Sequence, residues 1–310
     1  MKIVIFGLGS VGKRHAKILK ECFDVELFAF RSGSHSGNDL GITELYNWKD
    51  VENQKADAAF ITNPTSRHIE TALKCASAGM HLFIEKPLSD SMEGVDELAG
   101  ICREKKLTCY TAYCLRFHPV IKEIKNLISG KGVLHVRAVC SSYLPSWRQE
   151  TNSKDTYSAS KRLGGGVLLD LSHEFDYISY LFGQIDEIKG FFGRASEVTV
   201  DAEDFADVSI KTKKMICVSL HINFLSRLNE RMFIVDYEGG YMVGDLIESK
   251  IEASNGNKKE TMTFSSDRDA YFKEQTQYFF NNMGKPEIMN DITESSELLR
   301  KILEFKNAKQ

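Results

Sequence analysis

The sequence predicts two domains in tandem: an N-terminal α/β domain (1–117) on a parallel sheet, and a C-terminal α+β domain (118–310) with an open, mostly antiparallel sheet. Three observations predict it. Short apolar runs alternate with helical patterns from residue 1 to 115, the signature of βαβ units. After Arg116-Phe117-His118-Pro119 the alternation stops, and closely spaced β-rich runs joined by short turns take over. At 310 residues the chain is long enough for two cores of ordinary size.

The first element carries the most information. Ile3 to Phe6 is a continuous apolar run, as in a strand buried on both faces, and Gly7, Gly9 and Gly12 follow it as G-x-G-x-x-G before a helix. In that context Gly7 permits a tight turn, Gly9 lets the backbone approach a pyrophosphate, and Gly12 lets the helix pack on the strand. Phosphates would sit on the free N–H groups at the helix start. This predicts a Rossmann domain holding a dinucleotide. Val25 to Phe30 reads as the second strand, ending in Arg31 and Ser32. An acidic residue there would bind the ribose 2′-hydroxyl of NAD; an arginine suits a 2′-phosphate and tilts the choice to NADP. Arg31 as a solvated surface residue is the alternative.

Strands follow at Ala56 to Thr62, His81 to Ile84 and Thr108 to Tyr113, with helices at about 67–78 and 92–105 between them. Asn63-Pro64-Thr65 and Glu85-Lys86-Pro87 fall at the carboxyl ends of these strands, where cofactors bind. Pro87 restricts Lys86 to an extended backbone. In the second domain a helix at about 120–129 leads into a strand from Val133 to Tyr143. Further strands are predicted at 187–197, 204–212, 215–224, 230–237 and 240–245, and helices at about 269–283 and 294–306.

Composition narrows the class. Hydrophobic content of 42% and charged content of 27% exclude a disordered chain. A net charge of −3 argues against a nucleic-acid or anionic-membrane partner. No apolar run approaches a membrane span, and the start lacks a signal-peptide pattern. The seven cysteines are an odd number with no C-x-x-C pair or zinc spacing, so free thiols in a cytoplasmic protein without a metal are expected.

Taken together, FGLGSVGKRH (6–15), ITNPTSRH (61–68), FIEKPLS (83–89), YCLRFHP (113–119) and GGGVLLDLSHEFD (164–176) resemble the Gfo/Idh/MocA oxidoreductases, the family of glucose–fructose oxidoreductase and inositol dehydrogenase. The resemblance runs over essentially the whole chain. It implies hydride transfer between NAD(P) and a hydroxyl or keto carbon of a sugar, with the substrate between the domains and association as a homodimer or homotetramer through the C-terminal sheet. On the matching positions it places cofactor contacts at Gly7, Leu8, Gly9, Ser10, Val11 and Gly12, at Thr62, Asn63, Pro64 and His68, and at Glu85 and Lys86. Lys86 matches the E-K-P lysine that takes part in catalysis, and burial there would lower its pKa toward a useful range. A structural lysine paired with a carboxylate is the alternative.

His173, with Asp170, matches the family's second catalytic cluster. An imidazole titrates near neutrality, so His173 suits proton transfer; a buried core histidine is the bland alternative. The family reads D-x-G-x-H, whereas this chain reads Asp170-Leu171-Ser172-His173, one residue shorter. If Val167 to Phe182 is one helix, Asp170 and His173 share a face and Asp176 continues it. Residues 140–163 supply aromatics and cations for a substrate. Tyr143 and Trp147 suit stacking on a sugar, and Arg148, Lys161 and Arg162 suit an anionic group, with Arg116 of the preceding motif a further substrate-binding candidate. That pattern favours a nucleotide-linked or acidic sugar, against a plain solvated loop. Two other readings stay open: a catalytically silent NAD(P)-binding sensor or structural protein, and a reductase of a non-sugar small molecule.

Overall fold

The structure is a computed structural model and describes residues 1–31, 33, 37–147, 156–265, 267–285 and 287–308. The chain divides into two compact units, residues 1–113 with 269–299, and residues 114–268 with 300–310.

The first unit is a parallel sheet. Its strands are β1 (Lys2–Phe6), β2 (Glu26–Phe30), β3 (Thr43–Leu45), β4 (Ala58–Ile61), β5 (His81–Glu85) and β6 (Cys109–Ala112), in the order β3-β2-β1-β4-β5-β6. The order reverses between β1 and β4, which places a crevice at their carboxyl ends. β1 and β4 are buried almost throughout, as their unbroken apolar runs require when helices cover both faces. Helix α1 (Ser10–Cys22) follows β1, α2 (Trp48–Gln54) follows β3, α3 (His68–Ser77) follows β4, and α4 (Val95–Lys105) follows β5. Phe60 and Phe83 stack at 4.3 Å in the core, and Phe279 meets both edge-on at 5.8 and 5.4 Å.

That last contact shows where the expected division at 117/118 differs from the structure. Phe279 belongs to helix α8 (Arg268–Asn282), late in the chain, and its ring completes the aromatic core of the first unit. Beyond α8, Thr111 N–H donates to the Asn290 carbonyl at 2.9 Å, beside a bridge between Tyr110 and Asp291. Residues 269–299 therefore count with the N-terminal sheet.

The second unit holds a sheet of β7 (Val133–Ser141), β8 (Ile185–Gly193), β9 (Phe205–Thr212), β10 (Cys217–Asn223), β11 (Glu230–Tyr237), β12 (Gly240–Asp245), β13 (Lys250–Ser254) and β14 (Lys259–Thr263). Its order is β14-β13-β12-β11-β7-β10-β9-β8, antiparallel except where β7 meets β10. Alternation sets the two faces: Val136, Ala138, Phe233 and Val235 are buried, while Arg137, Ser219 and Asp207 point to solvent. Helices α5 (Pro119–Leu127), α6 (Val167–Asp170) and α7 (Ser172–Phe182) belong to this unit, and Tyr177 of α7 packs 5.2 Å from Phe233. The final helix α9 (Ile292–Asn307) ends in this unit, with Phe305 edge-on to Phe192 and Lys306 bonded to Glu203.

Strands β3, β13 and β14 were not signalled by the sequence. β3 is three residues long, and β14 reads KETMT, with no apolar alternation, because it is an exposed edge. All seven cysteines are free thiols. No helix among the described residues is long and apolar enough to cross a membrane.

Candidate active site

The glycine turn is built as its sequence demands. Gly7 has φ +102°, and a Cβ there would press on the Asn63 backbone at 3.0 Å. A Cβ on Gly12 would lie 2.0 Å from the Gly7 carbonyl, so only glycine lets α1 sit this close to the turn. Gly9 differs: a Cβ added there meets nothing within 4 Å. It is the N-cap of α1, with no capping side chain and no acidic residue in the first turn. The helix start thus offers uncapped backbone N–H groups and its positive dipole end to open space, beside the exposed Ser10 and half-buried Leu8 and Val11. These features fit the pyrophosphate of a dinucleotide.

The neighbouring turns are locked to this one. The Thr62 hydroxyl donates to the Gly7 carbonyl at 2.6 Å, and the Asn63 amide donates to Thr71 Oγ1 at 2.8 Å, ahead of Pro64. His68 was expected to touch the cofactor, but it is buried, with Nδ1 2.9 Å from the Pro87 carbonyl and Nε2 3.0 Å from the Asn63 carbonyl. Burial pushes its pKa down, against the opposing pull of those two carbonyls. The neutral ring has one N–H and donates to one carbonyl at a time. Its place is to tie the Asn63 turn to the Lys86-Pro87 turn.

Glu85, also expected at the cofactor, is likewise buried, and its Oε1 lies 2.7 Å from His15 Nε2 of α1. The Lys86 N–H donates to Glu85 Oε2 at 3.1 Å. Burial opposes ionisation of Glu85, but the His15 bond, the nearby Lys86 charge and that N–H together hold its carboxyl below the ordinary range. Lys86 is half-buried at the carboxyl end of β5. The pairing partner of Glu85, His15, was invisible to spacing arguments because it lies in another element.

Arg31 follows β2, and its Nη1 lies 2.9 Å from Glu44 of β3. Ser32 lies outside the described residues.

In the second unit, the expected helix Val167–Phe182 is interrupted at Leu171, whose φ of −93° and ψ of +24° separate α6 from α7. Asp170 ends α6, and His173 stands in the first turn of α7, so the two are not three apart on one continuous helix. Asp170 is buried and accepts a short hydrogen bond from the Tyr157 hydroxyl. The glycine run explains this approach: a Cβ on Gly165 would lie 2.1 Å from the Tyr157 carbonyl. Asp176 lies further along α7. It pairs with Arg116, whose Nη2 and Nε lie 2.7 and 3.0 Å from its oxygens, both residues buried. Arg116, expected against the substrate, is buried in this pair, and its guanidinium carbon lies 4.7 Å from the centroid of the Tyr180 ring.

The aromatics of the following segment are half-exposed or exposed. Tyr143 has Arg227 4.2 Å over its ring, and Trp147 packs edge-on to Phe224 and donates from Nε1 to Ser142 at 2.9 Å. Arg162 is exposed, and Arg148 lies outside the described residues.

With this geometry in place, the family models are decisive. Residues 1–113 match an oxidoreductase family with an NAD-binding Rossmann fold, and residues 121–243 match the C-terminal domain of the same GFO/IDH/MocA family. The chain belongs to the Gfo/Idh/MocA oxidoreductases. A myo-inositol 2-dehydrogenase of Thermotoga maritima is 30% identical over 66% of this chain, and the match spans 60% of that relative's length. Among solved structures, a levoglucosan dehydrogenase in complex with NADH superposes with a TM-score of 0.87 at 16% identity, covering 100% of this chain and 98% of the other. A UDP-N-acetylglucosamine 3-dehydrogenase of Acidithiobacillus ferrooxidans superposes with a TM-score of 0.83 at 19% identity, covering 99% of this chain and 97% of the other. At such identities these two structures carry the fold of this Gfo/Idh/MocA protein.

Proposed function

We propose that this protein is an NAD(P)-dependent oxidoreductase acting on a hydroxyl or keto carbon of a carbohydrate. One observation carries the reading: the carboxyl edge of one parallel sheet presents both an uncapped glycine turn shaped for a pyrophosphate and, after β5, the half-buried Lys86. The bound nicotinamide supplies hydride acceptance or donation. This chain's residues supply the rest. The Gly7–Gly12 turn holds the phosphates, and the Thr62–Pro64 turn lines the same edge. Lys86 and His173 exchange the proton of the substrate oxygen, and Asp170, held by Tyr157, orients the substrate or the His173 ring. His15, Glu85 and His68 hold Lys86 through its backbone, and Arg116 holds α7 through Asp176.

The family's relatives named for inositol, levoglucosan and a nucleotide-linked sugar support a carbohydrate substrate. Tyr143 and Trp147 suit a sugar ring, and Arg162 suits an anionic group on it. The open face of the second unit's sheet suits self-association as a dimer or tetramer, and free thiols suit a cytoplasmic setting. For the cofactor, Arg31 alone would favour NADP(H); its pairing with Glu44 leads us to NAD(H).

The test is NADH formation or consumption with a panel of neutral, acidic and nucleotide-linked sugars. We expect turnover of at least one, falling by about 10²–10⁴-fold in Lys86→Ala and in His173→Ala while NADH still binds. A folded protein that binds NADH yet turns over no polyol or ketose, or a His173→Ala variant with full activity, overturns the reading.

A further inference from the structure

Arg31 stands just past the end of β2, where the adenosine ribose of a dinucleotide lies in this fold. Its backbone extends the ladder to β3, donating to the Leu45 carbonyl at 2.9 Å. The side chain turns along the same edge to Glu44, one residue earlier on β3. We propose that Glu44 is a specificity-determining residue that neutralises Arg31 and so sets the chain to NAD(H) over NADP(H); the inference rests on the cofactor reading above.

The carboxylate sits in a built socket. Oε1 of Glu44 accepts from Arg31 Nη1 at 2.9 Å and from Asn38 Nδ2 at 3.1 Å, and Oε2 accepts a short bond from the Tyr46 hydroxyl. Asn38 is itself fixed: its Oδ1 accepts the N–H groups of Leu40 and Ile42, both at 3.1 Å, and its Nδ2 also donates to the Ile42 carbonyl at 2.8 Å. The Glu44 side chain is 7% exposed and that of Arg31 27%. Lys13 of α1, another cation of this corner, is matched by Asp39 at 2.9 Å.

Charge decides the consequence. Arg31 contributes +1 and Glu44 −1, so the pair presents no net charge to the ribose. The 2′-hydroxyl of NAD is neutral and is content with such a pair, whereas a 2′-phosphate brings about −1.5 to −2 charges and needs an uncompensated cation. At Arg31 it would stand beside the Glu44 carboxylate, and it would have to break a bond that Asn38 and Tyr46 hold in place. An arginine at this position ordinarily signals NADP. Here its partner cancels that signal.

The experiment titrates NADH and NADPH separately into the full-length protein and follows binding by protein-to-nicotinamide fluorescence. The wild type should bind NADH more tightly than NADPH. Glu44→Gln keeps the shape of the side chain and removes its charge, and should tighten NADPH relative to NADH by about tenfold or more, as expected for one released charge-assisted contact. Arg31→Ala/Glu44→Gln should return the ratio to within about threefold of wild type, because the gain depends on Arg31. A wild type that prefers NADPH, or a Glu44→Gln ratio that does not move, overturns the proposal. Should Glu44→Gln not fold, the wild-type preference and the single variant Arg31→Ala still decide: an Arg31→Ala that loses about tenfold of NADPH affinity relative to NADH shows that Arg31 already serves the phosphate and overturns the proposal, whereas a ratio within about threefold of wild type supports it. Binding of neither cofactor by the folded wild type would instead remove the cofactor reading itself.

Discussion

His15 Nε2 stands 2.7 Å from Glu85 Oε1, and the other oxygen of that carboxylate accepts the Lys86 N–H. The pair joins the helix of the glycine turn to the strand that ends at Lys86, and it lies in an aromatic box, with Phe83 5.0 Å and Phe60 5.7 Å from the imidazole. A carboxylate so deep in apolar surroundings survives only if its partners remain.

His15→Ala should therefore cost about 3–5 kcal/mol, the usual result of leaving a buried charge unpaired, measured by urea unfolding. Glu85→Gln retains a hydrogen-bonding side chain and should fold. It loosens the backbone of Lys86, so turnover should fall by about ten- to hundredfold, with NADH affinity nearly unchanged. Full turnover in Glu85→Gln would show that Lys86 needs no such support.

The glycines separate a structural role from a binding role. Gly9→Val meets open space in the protein and should leave the melting temperature nearly unchanged, while its side chain occupies the pyrophosphate position and abolishes NADH binding. Gly12→Ala meets the Gly7 carbonyl at 2.0 Å and should destabilise the fold as well. Calorimetry of both variants with and without NADH checks the contrast; undiminished NADH binding by Gly9→Val would remove the phosphate site from this turn.

The Arg116–Asp176 pair should behave as a buried ion pair rather than as a substrate contact. Asp176→Asn leaves the buried guanidinium uncompensated and should cost about 3–5 kcal/mol, whereas Arg116→Met/Asp176→Leu should recover much of that loss. Denaturant titration of the two variants distinguishes this from a binding role, in which the single change would raise KM at unchanged stability.

Acid should weaken the second unit through His118. Its Nδ1 accepts the Val120 N–H at 3.3 Å at the start of α5, and burial together with the Arg231 charge pushes its pKa from 6.5 to about 4. A base whose pKa is lower in the folded state binds fewer protons there. Its contribution is therefore fully present above the unfolded value of 6.5 and is lost as pH falls toward 4, amounting to about 3 kcal/mol. His68 shifts in the same direction, so the first unit shares the trend. Urea midpoints at about pH 7 and about pH 4.5 should differ, and His118→Asn, which keeps a capping oxygen, should reduce the difference. An unchanged slope would assign the acid limb elsewhere.

Much was legible in the sequence where the signal is local. The runs Ile3–Phe6, Ala58–Ile61 and Leu82–Ile84 are buried on both faces, and such strands cannot read otherwise. The strands 230–237 and 240–245 appear with their expected bounds because a two-residue turn, Glu238-Gly239, separates two alternating patterns. Short polar strands such as β14 carry no pattern, since an edge in solvent selects for none.

By itself, then, the sequence determined the parallel sheet, the glycine turn and the order of the motifs, because backbone geometry and hydrophobic period act over a few neighbouring residues. Only the tertiary structure decided what the polar side chains do. Arg31 has Glu44 beside it, Arg116 has Asp176 against it, and both nitrogens of His68 lie on backbone carbonyls, partners that no spacing in the sequence announces. Residues 269–299 return to the first sheet for the same reason. Charge pairing and core completion depend on distance in space, and the chain brings together residues whose separation in sequence holds no trace of it.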